Sequence, residues 1–366
     1  LKRLLTFLGT RPEIIKLSPL IPRFDQGFAH ALVHSGQHYS PNMDEIFFRE
    51  LGLRRPDAML GCGGLPPAEQ VGLMMQRLEK LMMENMPDAV VVQGDTNTAL
   101  AGALAAAKHK EAGVKLIHIE AGCRSGNPAQ TEEINRLLID RVSDLMFAPT
   151  PADAANLARE GIDASAYSVT GNTVVDSCRR TAALVDDAAV LGRHGLASGG
   201  YCLATLHRQE TVDHRERLAE VAEALDAIAD RLPVVLPLHP RTAGKMAGFG
   251  LAFGSAGVRI IEPAGYLELI GLLKHARFCL TDSGGMQEEA VVLRVPALVL
   301  RNETEYMHYV RAGALRLAGT SRAGILEAAG PLLDGEDEGR RIRALQVDLP
   351  ADCSGEIARR LAAFLG

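Results

Sequence analysis

At 366 residues the chain is too long for one ordinary core and suits two domains of roughly 150–200 residues each. Apolar residues make up 47% and charged residues 23%, the balance of a globular protein. A formal net charge of −6 and only 4% aromatics, with no Trp, argue against a nucleic-acid partner, which needs a basic face or stacking platforms. An acidic chain can still hold a small phosphate ligand through local Arg residues and backbone N–H groups.

The six cysteines (Cys62, Cys123, Cys178, Cys202, Cys279, Cys353) are far apart with no Cys-x-x-Cys pair. They read as buried thiols of a reducing compartment, so the protein is expected in the cytoplasm. Eleven histidines form no His-Glu-x-x-His arrangement, so a catalytic metal is not expected; the reading calls for no cofactor. The opening Leu1–Leu8 superficially resembles a secretion signal, but its apolar run is short and leads into a Gly-Thr turn, as a strand would. No run reaches the ~20 apolar residues that span a bilayer.

Short apolar runs alternate with helical patterns from end to end. The first half reads as strands at Leu4–Leu8, Ala31–His34, Ala89–Gln93, Val114–Ile119, Leu145–Ala148 and Tyr167–Thr170. The second half repeats the rhythm at Tyr201–Thr205, Val234–Leu238, Val258–Ile261, Phe278–Thr281, Ala297–Leu300 and Arg316–Ala318. Most lack alternation, as parallel strands covered on both faces do. Helical stretches such as Ala99–His109 and Leu218–Ala229 separate them, so the fold class is two doubly wound α/β domains. A domain of residues 1–171 gives way, through a helix-prone connector, to a second of 172–345. A final helix within about 346–366 is expected to pack back on the first domain.

In open α/β sheets ligands sit where strands end and helices begin. The first strand ends in Gly9-Thr10-Arg11-Pro12-Glu13, an anion-facing helix start whose Arg11 can reach a phosphate or simply be solvated. Gly94-Asp95-Thr96 follows a core strand. Asp95 reads first as the cap of the Ala-rich helix beyond it, and second as a base in the cleft. Glu120 ends an apolar strand, a costly place for a carboxylate that is neither paired nor in a cleft. Glu132 and Arg136 are four apart on a helix, where a surface ion pair would explain them without any chemistry.

His207-Arg208 and His239-Pro240-Arg241 each follow a strand in the second half and offer a proton donor beside a fixed cation. Single histidines are more often structural. The strongest segment is Thr281-Asp282-Ser283-Gly284-Gly285-Met286-Gln287-Glu288-Glu289. Ser283, Gly284 and Gly285 supply a hydroxyl and close-approach N–H groups at a helix start, a diphosphate cradle by geometry and dipole. Glu289, further along, could accept ribose hydroxyls.

These motifs, in this order, resemble the UDP-N-acetylglucosamine 2-epimerase family of the non-hydrolysing bacterial type. The landmarks are Gly9-Thr10-Arg11-Pro12-Glu13, Gly94-Asp95-Thr96, Glu120-Ala121-Gly122, Glu132-Glu133-Ile134-Asn135-Arg136, Gly171-Asn172-Thr173, His207-Arg208 and Asp282-Ser283-Gly284-Gly285. The resemblance implies a GT-B-type architecture, with two Rossmann-like domains facing each other across a cleft, usually as a homodimer, and UDP held mainly by the second domain. It implies epimerisation at C2 of a UDP-2-acetamido sugar through elimination of UDP to a 2-acetamidoglucal and re-addition. Asp95, Glu120 and Glu132 would then be the acid/base groups, sharing a proton as clustered carboxylates can, with His207 assisting. Arg11, Arg136, Arg208, His239, Ser283, Gly284, Gly285 and Glu289 would bind the UDP-sugar.

The sequence departs from the family pattern in places. The Glu120–Glu132 spacing is short, more like the branch acting on UDP-2,3-diacetamido-2,3-dideoxyglucuronate, and Thr131 replaces the usual proline. Tyr306, Met307 and His308 stand where the family commonly continues Arg-Pro-Glu. Tyr39 and Ser40 differ beside Gln37-His38, a segment used for regulatory substrate binding, so allosteric activation is not assumed. A hydrolysing relative, a GT-B glycosyltransferase and a non-catalytic nucleotide-sugar sensor are the rival readings.

Overall fold

The computed structural model describes residues 1–37 and 41–366. Its contacts divide into two units, Leu1–Ser177 with Pro350–Gly366, and Cys178–Leu349. The division falls inside one helix, Val174–Leu184, and not in a loop.

The first unit holds seven parallel strands: β1 (Arg3–Leu8), β2 (Ala29–His34), β3 (Ala58–Met59), β4 (Ala89–Gln93), β5 (Lys115–Ile119), β6 (Leu145–Ala148) and β7 (Tyr167–Val169). Their order is β3-β2-β1-β4-β5-β6-β7, so the chain reverses its direction of travel between β1 and β4. The second unit repeats the plan with β8 (Cys202–Thr205), β9 (Val234–Pro237), β10 (Val258–Ile261), β11 (Phe278–Thr281), β12 (Ala297–Val299) and β13 (Leu315–Leu317). Its order, β10-β9-β8-β11-β12-β13, puts the reversal between β8 and β11. Each unit is Rossmann-like, with its switch point beside its first strand, where ligands bind in such sheets. Two doubly wound α/β units are the fold class expected from the sequence.

The strands missed from sequence reduce to β3, whose two residues pair with Val33 and His34 and are too few to show any period. The others begin and end within two residues of expectation. Apolar runs hide the alternation that their environment reveals. In the second unit Cys202, Ala204, Val234, Leu236, Phe278 and Leu280 enter one core, while the intervening Leu203, Val235 and Cys279 enter another on the opposite face. Both faces are covered, so every position is apolar.

In the first unit Leu5, Phe7, Val90 and Val92 share a core with the helix Asn97–Ala107. That helix carries Ala99, Ala101, Ala103, Ala105 and Ala106 buried around its circumference, as a helix enclosed on several sides must. At Gly102 a Cβ would lie 2.8 Å from Val92 and 2.9 Å from Phe7, so the small residue sets how closely helix and sheet approach.

The last helix, Cys353–Leu365, belongs to the first unit. Asp176 accepts from the N–H groups of Cys353 (3.3 Å) and Ser354 (2.6 Å), satisfying two donors that a helix start leaves open. Gly171, at φ +84°, lies so close to Pro350 and Cys353 that a Cβ would be 2.5 and 2.6 Å from them.

Candidate functional site

In the first unit the turn after β1 is built around a buried carboxylate. Glu13 accepts from the Gly9 and Thr10 N–H groups at 2.9 and 2.8 Å, from the Thr10 hydroxyl at 2.9 Å and from the Thr96 hydroxyl at 2.7 Å. Burial outweighs these donors and pushes its pKa up from 4.5 to about 7. Glu13 thus ties the loop after β1 to the loop after β4 at the switch point. Arg11, next to the cap, holds its guanidinium carbon 5.8 Å from the centre of the Phe47 ring, within cation–π range.

Asp95 is not the cap of the following helix. Thr96 takes that place, its hydroxyl accepting from the Ala99 N–H at 3.0 Å. One residue earlier, Asp95 is free of the helix and forms an ion pair with Arg136. Asn135 donates to the Asp95 carbonyl at 2.8 Å. The surface-pair reading of Glu132 and Arg136 also fails. Arg136 pairs with Glu133, at 3.0 Å and three residues apart, and with Asp95, while Glu132 points outward as an exposed residue of the first helical turn. Glu133 is the buried member. Besides Arg136, it accepts from the N–H groups of Ser125 (2.9 Å) and Gly126 (3.1 Å), pinning the loop after β5. Burial alone would raise its pKa, but those donors hold it below the ordinary value.

Glu120, the residue no structural reading explained, has a cation of its own. Lys16 donates to both carboxylate oxygens at 2.6 Å, and both side chains are 13% exposed. Gln93 and Asn172 donate as well, the latter at 3.4 Å. Glu120 sits at φ 71°, one of two non-glycine residues at positive φ among those described. That left-handed conformation costs about 1–2 kcal/mol and is held by the two N–H groups of Glu120 and Ala121 donating to the Phe147 carbonyl at 3.0 Å. Two nearby groups feel the burial and the Glu120 charge. Asp153 and, far more strongly, the Cys123 thiol are pushed up. Asp95 and Glu120 each hold a separate cation.

Sequence reasoning missed Lys16, Gln93 and Glu133. The Lys16 partner is 104 residues away, and no local pattern carries such a pairing. Glu133 differs from Glu132 only in which way one turn of helix faces.

In the second unit Asp282 is wholly buried at the end of β11. It accepts from the N–H groups of His207 (3.0 Å) and Arg208 (2.9 Å), and its Oδ1 lies 3.2 Å from the His207 Nδ1. The ends of β8 and β11 are further joined by Thr205 and Thr281, whose hydroxyls are 2.7 Å apart. His207 itself is exposed. Ser283 caps the helix Gly284–Val292, accepting from Met286 N–H at 3.4 Å. The first-turn N–H groups of Gly284 and Gly285 therefore remain the open donors of that helix. A Cβ at Gly285 would meet nothing within 4 Å, whereas one at Gly284 would lie 2.9 Å from a Glu305 oxygen.

Arg208 reaches toward Glu305 at 4.0 Å, and Glu305 also takes Arg301 at 3.0 Å. Tyr306 donates to Glu288 at 2.9 Å. Glu289 is buried within the same helix. His239 caps the helix Pro240–Gly248, its Nδ1 accepting from Arg241 N–H at 3.2 Å. His38, Tyr39 and Ser40 lie outside the described residues, while Gln37 accepts from the Thr98 N–H at 2.9 Å. Among the described residues no three His, Cys, Asp or Glu side chains are grouped to hold a metal, and no helix is long and apolar enough to cross a membrane.

A family model described as UDP-N-acetylglucosamine 2-epimerase matches residues 23–351. A UDP-N-acetylglucosamine 2-epimerase of Methanocaldococcus jannaschii is 41% identical over 91% of this chain and 92% of its own. A UDP-2,3-diacetamido-2,3-dideoxy-D-glucuronate 2-epimerase of Pseudomonas aeruginosa is 40% identical over 99% of both chains. A crystal structure of the Methanocaldococcus jannaschii UDP-GlcNAc 2-epimerase, in complex with UDP-GlcNAc and UDP, superposes with a TM-score of 0.89 at 40% identity, covering 99% of each chain. Matches of this extent make the chain a member of the UDP-N-acetylglucosamine 2-epimerase family.

Proposed function

We propose that the protein is an isomerase that epimerises a UDP-linked 2-acetamido sugar at C2. The observation that carries the reading is the pair of part-exposed carboxylates Asp95 and Glu120 at the ends of neighbouring strands, each bound to its own cation. Pairing with Arg136 and Lys16 fixes where each carboxylate points, as a positioned acid/base group requires.

In the proposed reaction the C1–O bond breaks and UDP leaves with the electron pair, while a carboxylate takes the C2 proton to give a 2-acetamidoglucal. A proton then returns to C2 on the opposite face and UDP adds back to C1. Removal and return on opposite faces require two acid/base groups, for which Asp95, Glu120 and Glu132 are the candidates. In the second unit the Gly284 and Gly285 N–H groups, the Ser283 hydroxyl and Arg208 suit the diphosphate, with His207 oriented by buried Asp282. Arg11, His239 and Glu289 complete the proposed substrate contacts.

Among the relatives, substrates named include both UDP-GlcNAc and a UDP-diacetamido-glucuronate. Incubating both with the protein in D₂O, with NMR of C2, identifies the substrate and shows both epimers with deuterium at C2. Release of free sugar and UDP instead would mark a hydrolase; binding with no deuterium would mark a sensor. Glu120→Gln is expected to fold and to lose exchange by ~10²–10⁴-fold, the worth of a positioned acid/base group. Full activity in that variant removes Glu120 from the mechanism.

Two further properties belong to this reading. Ile134, Leu137 and Leu138 are 49%, 43% and 44% exposed on one face of the helix Thr131–Val142, an apolar stripe suited to a homodimer. All six cysteines are free thiols and five are buried, which suits the cytoplasm.

A further inference from the structure

His118, on β5 two residues before Glu120, is wholly buried. Its Nδ1 is 2.7 Å from Asp140 Oδ1, and its Nε2 is 2.9 Å from the Gly94 carbonyl oxygen. A carbonyl only accepts. Asp140 also accepts: burial alone would raise its pKa, but its hydrogen-bonded and charged neighbours, Arg124 among them, hold it below the ordinary value. A neutral imidazole has one N–H and would leave one of these buried acceptors facing a bare nitrogen.

We infer that His118 is an imidazolium that acts as a positioning residue, its two N–H groups fixing the turn that bears Asp95 against the loop that bears Glu120. The positioning role rests on the C2 chemistry proposed above; the charge state does not. Gly94, whose carbonyl His118 holds, immediately precedes Asp95. The other Asp140 oxygen accepts from the Gly122 N–H at 3.1 Å and from Arg124 at 2.7 Å, both just beyond Glu120. Arg124 continues outward to Glu160 at 2.6 Å. Cation and anion therefore alternate through His118, Asp140, Arg124 and Glu160. A buried ion pair on its own is expensive, but here each buried member has its hydrogen bonds filled and the far end reaches solvent. The helix Thr131–Val142 supplies Asp140, which holds His118, and Asn135 and Arg136, which bind Asp95 directly.

The test uses His118→Gln, whose amide can donate to the Gly94 carbonyl but turns an acceptor toward Asp140. Deuterium exchange at C2 is expected to fall roughly 10²-fold in kcat, the scale of a misplaced catalytic group, with UDP affinity and KM little changed. Adding Asp140→Asn lets the introduced amides face each other as donor and acceptor and should restore part of kcat. Retained kcat in His118→Gln, or kcat and UDP affinity falling together, overturns the positioning role. Nitrogen NMR of the wild-type ring should show both nitrogens protonated at neutral pH, and a bare nitrogen overturns the imidazolium. If the wild-type protein exchanges C2 of no UDP-sugar, the epimerase reading falls with the positioning role, while the ring spectrum still decides the charge.

Discussion

Glu13→Gln isolates the buried carboxylate at the first switch point. Below about pH 7 the Glu13 carboxyl is protonated in the folded protein, whereas in the unfolded chain it ionises near 4.5. The folded state therefore binds more protons than the unfolded state between those values, and stability falls as pH rises through that window. Moving the pKa from 4.5 to about 7 in a side chain that is 1% exposed corresponds to ~3 kcal/mol, fully present below 4.5 and lost above 7.

A Gln side chain reproduces the protonated form. Its oxygen accepts from Gly9 and Thr10, and its amide donates to the Thr96 hydroxyl, which turns to accept. The variant should match the wild type at about pH 4.5 and be more stable than it by about 3 kcal/mol at about pH 8, roughly 6–12 °C in Tm for a unit of this size. Urea unfolding of both proteins across this range reads the difference directly, because every other titrating group is common to the two. A difference that stays constant with pH would refute the argument that desolvation dominates at Glu13.

Two more substitutions probe the first unit. Gly122→Ala places a Cβ on the Asp153 carbonyl oxygen at φ +79°, and should cost at least about 2 kcal/mol in urea unfolding; an unchanged midpoint would remove the close-approach argument. Leu137→Glu puts a charge in the exposed apolar stripe and should convert a dimer to a monomer by sedimentation. A dimer that survives the charge places the interface elsewhere.

What could be read from the chain alone was governed by neighbours in sequence. Period, glycine placement and strand-end chemistry gave the two α/β domains, the Ser283-Gly284-Gly285 helix start and the carboxylates Asp95 and Glu120, because each depends on a few consecutive residues. The same local logic misjudged Asp95 as a cap, since Asp and Thr both cap well and only the helix's true first turn chooses Thr96. It also paired Arg136 with Glu132, where the rotation of about 100° between successive helix residues buries Glu133 instead.

Tertiary structure alone decided the charge partners. Lys16 meets Glu120 across 104 residues, Arg136 meets Asp95 across a helix and a loop, and His118 finds both of its acceptors on other elements. Such pairings follow from the order in which parallel strands lie side by side. That order is set by packing of whole layers, so no short stretch of sequence contains it.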